Sequence, residues 1–118
     1  MGLRFKAIEP YLHNVDPGVW LEIGTDRGEG STGWLIEQGQ QHGMTRFVTI
    51  DMNPNNVQFS VNRTYLKIGD IPKNCEFVVS TGEKWLQDAK TDLFSMVYLD
   101  NFDWDYWLEG TEEPFVAP

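Results

Sequence analysis

Basic residues are missing from the last quarter of this chain. All nine Lys and Arg lie within residues 1–90, which carry a net charge of −2; residues 91–118 hold seven acids and no base, and carry −7. A chain with a total charge of −9 has no electrostatic footprint for nucleic acid. The acidic tail reads either as a solvated surface segment or as acids facing a cation, whether a metal or a ligand's sulfonium. Cysteine is almost absent. The single Cys75 excludes an internal disulfide and fits a reducing compartment, so a cytoplasmic location is expected. No apolar run approaches the roughly 18 residues that cross a membrane, and no membrane partner is expected. Residues 1–12 lack the continuous apolar core of a signal peptide. There is no internal repeat and no low-complexity linker. His13 and His42 are isolated and read as surface residues, and Ser31 has no nucleophile-elbow context, so no hydrolytic constellation is present.

What is present suits one packed domain. The 118 residues are 41% hydrophobic and 14% aromatic, enough for a core and too few for two domains. Short apolar runs alternate with amphipathic ones. Strands are expected at Val19–Ile23, Arg46–Ile50, Glu76–Val79 and Leu93–Leu99, the last so apolar that burial on both faces is expected. Thr32 to Gln41 reads as a weak helix diluted by Gly33 and Gly39. Asn53-Pro54 opens a second helix, whose Val57, Val61, Tyr65 and Ile68 form its apolar stripe and whose end is Gly69. Ser80-Thr-Gly-Glu83 has the spacing of a capping box ahead of a short helix. A further helix is expected at about Arg4 to Leu12. The alternation predicts a parallel open sheet with helices on both faces.

Such sheets bind ligands beyond the carboxyl ends of their strands. The richest of those ends is Glu22-Ile-Gly24-Thr-Asp-Arg-Gly28-Glu-Gly30-Ser-Thr32, three glycines in a strand-to-helix turn. Within it, Gly28 to Gly33 matches G-x-G-x-x-G and suggests a dinucleotide, with Asp51 near the place of the ribose-binding acid. That reading ranks second. The dinucleotide glycines should follow the strand at once, whereas Thr25-Asp26-Arg27 separates Gly24 from the literal match. Asp26 and Glu29 would also repel a pyrophosphate and favour a ligand bearing positive charge.

The same residues resemble motif I of class I S-adenosylmethionine-dependent methyltransferases. Phe47-Val-Thr-Ile-Asp51 resembles motif II, Phe77 to Gly82 the end of the third strand, and Ser95-Met-Val-Tyr-Leu-Asp100 motif IV. The resemblance spans about Val19 to Asp103. It implies a Rossmann-like fold and S-adenosylmethionine as cofactor. It implies cofactor-binding roles for Glu22, Gly24, Thr25, Gly28, Gly30, Ser31, Asp51, Met52, Thr81 and Gly82. Asp51 would accept the ribose hydroxyls, Met52 would lie on the adenine face, and Thr81, where the family commonly has an acid, would meet the adenine edge. Met96 to Asp103 is similar to O-methyltransferases in which the strand-four acid holds a divalent metal. That similarity implies a metal at Asp100 and leaves Asp100 and Asp103 as the candidate catalytic bases. The lysine base of the catechol type falls at Asp103, so that role does not transfer.

The family's domain has seven strands and four are readable here. Residues 1–118 are therefore expected to be one incomplete domain, with a small-molecule or sugar-like acceptor, hydroxyl-bearing by the O-methyltransferase similarity. Without the later strands, the isolated chain is expected to transfer no methyl group. The alternatives are an NAD-type oxidoreductase domain and a non-catalytic nucleotide-binding or interaction module. The edge after strand four is expected to be covered by a homo-oligomer contact, by the aromatic tail or by a missing C-terminal segment.

Overall fold

The computed structural model describes residues 4–24, 30–89 and 94–99. An N-terminal 3₁₀ helix, Arg4–Asn14, leads into β1 (Val19–Ile23), α1 (Ser31–Gln41), β2 (Arg46–Asp51), α2 (Pro54–Ile68), β3 (Cys75–Val79), α3 (Gly82–Asp88) and β4 (Met96–Leu99). The expected N-terminal helix is thus of the tighter 3₁₀ type and runs to Asn14; Pro10 lies inside it and supplies no N–H. The strands form one four-stranded parallel sheet in the order β3-β2-β1-β4. This is an open Rossmann-like α/β fold. β1 is central: α1 leads from it to β2 on one side, and β4 returns to its other side. The crevice between β1 and β4 is therefore the topological switch point.

Alternation along the strands sorts two apolar faces. Trp20 and Phe47, both fully buried, pack with Leu12, Trp34, Leu35, Ile36 and Met44 under α1 and the N-terminal helix. Leu21, Ile23, Val48 and Ile50 face the other way, beneath Trp85 of α3 and Phe94. Burying a Trp or Phe of this kind contributes roughly 1.5–3 kcal/mol, so β1 and β2 anchor the domain.

Two helices differ from the sequence pattern. α2 turns Val57, Ser60 and Thr64 inward, while Tyr65, expected in its apolar stripe, is 54% exposed. α2 packs on α1 as well as on the sheet, and small side chains let two helices approach. Gly33 belongs to the same contact: a Cβ there would come 2.9 Å from Cδ of Lys67. The glycine expected to weaken α1 instead makes room for α2. At α3 the cap lies one residue later than the capping box suggests. Thr81 is the N-cap and its Oγ1 accepts from the Lys84 N–H at 3.1 Å, while the Ser80 hydroxyl donates to the Thr81 carbonyl at 2.9 Å.

β4 is a further correction. Only Met96–Leu99 pairs with β1, residues 90–93 lie outside the described residues, and the strand is not covered on both faces. Met96 and Tyr98 pack against the Trp20 core, whereas Val97 is 46% and Leu99 63% exposed. His42, expected at the surface, is half-buried, with its ring centroid 6.5 Å from that of Trp20. His13 is exposed.

Candidate functional site

Three turns meet at the carboxyl end of the sheet. β1 ends at Gly24, whose N–H donates to the Ile50 carbonyl at 2.7 Å; β2 ends at Asp51, whose carbonyl accepts from the Ser80 N–H at 3.0 Å. The backbone thus ties together the exits of β1, β2 and β3. Ile23 pairs with Leu99, bringing the end of β4 to the same edge. Gly24, Asp51, Met52, Thr81 and Gly82, singled out from the sequence, all lie along it. Thr25, Gly28, Asp100 and Asp103 lie outside the described residues, as do Asp26 and Glu29.

Glu22 joins the end of β1 to β2 and to the start of α1. Its carboxylate is fully buried and accepts from Ser31 Oγ at 2.9 Å, Thr32 Oγ1 at 2.7 Å and Thr49 Oγ1 at 2.7 Å. Alternation puts Glu22 on the α1 face of β1, and register puts it opposite Thr49 of β2. One carboxylate therefore joins β1, β2 and the first turn of α1, and buried charge is tolerated when it is hydrogen-bonded in this way. Thr49 was not among the residues singled out from the sequence. Its signal was a hydroxyl on the inward face of β2, between Phe47 and Asp51 on that face and opposite Glu22 in register. The side chain of Ser31, one of the candidate cofactor-binding residues, is fully buried and bonded to Glu22.

Above this hub, the turn enters α1 at Gly30, the N-cap, with φ 91° and ψ 11°. That left-handed conformation suits glycine. As glycine, the cap brings no side-chain acceptor to the helix start. A Cβ at Gly30 would also lie 3.6 Å from an Nη of Arg63 on α2, so a guanidinium stands beside the turn.

Asp51 is 5% exposed. Its Oδ1 accepts from the Asn53 N–H at 2.9 Å and from Asn56 Nδ2 at 3.3 Å, and Asn53 in turn caps α2 by accepting from the Asn55 N–H at 2.8 Å. The carboxylate is thus held in one orientation at the end of β2. Around it the sheet end is apolar and open: Met52 is 71% exposed and Val79, the register partner of Asp51, is 53% exposed. Gly82 sits behind them for a packing reason. A Cβ there would lie 2.9 Å from Cγ2 of Ile23, so glycine lets α3 start against the end of β1.

Among the described residues, no group of three or more His, Cys, Asp and Glu side chains is placed to hold a metal ion. No helix among them is long and apolar enough to cross a membrane. Cys75 lies at the other end of the sheet, at the start of β3, and burial pushes its thiol up to about 12 from 9.0. Its reaction with iodoacetamide at pH 8 should be more than about a hundredfold slower in the folded chain than in urea, because only the thiolate attacks. The raised value also sets a sign. The unfolded thiol ionises first, so this group's contribution to stability is full below about pH 9 and is lost as pH rises toward about 12. Equal native and denatured rates would show that Cys75 is open to water.

Neither a scan of protein-family models nor a search of curated proteins finds a match to this chain.

Proposed function

We propose that this chain is the S-adenosylmethionine-binding part of a class I methyltransferase domain. The observation that carries the reading is Asp51: a nearly buried carboxylate, fixed by Asn53 and Asn56, at the end of the second strand of a β3-β2-β1-β4 sheet. In that role Asp51 accepts the two ribose hydroxyls, each charged hydrogen bond contributing roughly 1.5–3 kcal/mol. The surroundings of Asp51 suit such a ligand. Exposed Met52 and Val79 offer apolar surface to a nucleobase beside the acid. Thr81 and Gly82 stand next to them at the start of α3. Gly24, Thr25, Gly28 and Gly30 would let backbone approach the methionine portion. Glu22 acts indirectly, by holding Ser31 and Thr32 at the start of α1.

Methyl transfer makes small demands on acid–base chemistry. The sulfonium supplies an already activated methyl group, and the protein's task is in-line placement of the acceptor. With a hydroxyl acceptor, Asp100 or Asp103 would take its proton, and a divalent metal, if used, would be held by Asp100. The acceptor is proposed to be a small molecule or a sugar, and the location cytoplasmic.

A dinucleotide remains the second reading, on one observation: the Arg63 guanidinium beside Gly30 would suit a phosphate. Gly33 counts against it. The third glycine of the dinucleotide pattern serves helix-to-strand packing, whereas Gly33 meets Lys67 of α2. Calorimetry separates the two readings: S-adenosylhomocysteine should bind the chain, and bind more tightly than NAD.

A further inference from the structure

The lower face of the sheet stops being covered at β4. Leu21, Ile23, Val48 and Ile50 are buried on that face, yet Val97 and Leu99, which continue it by register, are 46% and 63% exposed. Leu86, on the helix that covers this face, is 44% exposed as well. Among the described residues no strand pairs with β4 on the side away from β1. An apolar surface of this kind beside an open edge is one that proteins seldom leave bare.

We propose that the segment Phe102–Leu108 of the same chain docks on this face and covers Val97 and Leu99. Three observations favour it as the occupant. It follows Leu99 after only Asp100 and Asn101, so the tether is short and its effective concentration at β4 is on the order of millimolar, which a second copy in dilute solution does not reach. It is rich in what the surface lacks: Phe102, Trp104, Tyr106, Trp107 and Leu108 supply five apolar side chains within seven residues. It is also long enough, since seven extended residues reach about 23 Å while Val97 and Leu99 lie about 7 Å apart along the strand. Asp103 and Asp105, between the aromatics, can stay in water while the rings bury. The inference does not depend on the cofactor reading.

Acrylamide quenching of the full chain tests it. The contribution of Trp104 and Trp107 is isolated by difference from a Trp104→Phe/Trp107→Phe variant. Docking predicts that these two indoles are quenched about fivefold less efficiently than free N-acetyltryptophanamide. Val97→Asp and Leu99→Asp, at exposed positions, should raise their quenching to the free value. Should either aspartate unfold the chain by far-UV circular dichroism, Val97→Thr keeps the shape and should raise quenching by about twofold. Free-value quenching in the unsubstituted chain overturns the proposal, as does protection that the β4 variants leave unchanged. Protection that vanishes on dilution, in step with the loss of dimer mass by light scattering, overturns it in favour of a second copy.

Discussion

Glu22→Ala should lower the stability of the folded chain by about 3–5 kcal/mol in urea denaturation, one of the largest effects of any single substitution here. The carboxylate accepts from Ser31, Thr32 and Thr49, and all four residues are fully buried. Removing it leaves three hydroxyls without this acceptor and a space where four heavy atoms stood. The loss falls on β1, β2 and α1 together, so the transition should shift without splitting. Glu22→Gln keeps the volume and one acceptor oxygen, and should cost about 1–3 kcal/mol. A Glu22→Ala loss under about 1 kcal/mol would mean that the three hydroxyls find other partners, and that Glu22 does not hold β1, β2 and α1 together.

Asp51→Asn should act on binding instead. The amide retains an oxygen that can accept from Asn53 and Asn56, so stability should change by about 1 kcal/mol or less. Affinity for S-adenosylhomocysteine should fall by about tenfold to a hundredfold, because the charge that would strengthen the two proposed ribose hydrogen bonds is gone. The opposite pattern, lost stability with unchanged affinity, would make Asp51 a helix-cap acid for α2 and no more.

The strands were legible because their chemistry is local. Val19–Ile23 was read to the residue, and β2 and β3 each gained one residue, Asp51 and Cys75. Contacts made across elements were not legible. The apolar stripe of α2 pointed to Tyr65, yet Ser60 and Thr64 face inward, since a helix packed on another helix selects for small size as well as apolarity. Gly33 read as a flaw in α1, and its use appears only once Lys67 lies across it. β4 misled in the other direction. Its nearly all-apolar run suggested two covered faces, but cover depends on what lies beyond the strand, which the strand's own residues do not encode. At the site, the acids were legible because Glu22 and Asp51 sit at strand ends. Their partners were only half legible: Ser31 was singled out for the cofactor and its side chain bonds Glu22, and Thr49 drew no notice beside the apolar residues of β2.

The proposed function has the carboxyl edge of this sheet binding S-adenosylmethionine rather than a dinucleotide. Titration calorimetry of the chain with S-adenosylmethionine, S-adenosylhomocysteine and NAD tests it most directly, with Asp51→Asn titrated alongside. Both sulfur ligands should bind more tightly than NAD by about tenfold or more, an advantage of roughly 1.4 kcal/mol, and Asp51→Asn should weaken both sulfur ligands by about tenfold or more. Tighter binding of NAD, or no binding of the sulfur ligands, would contradict it.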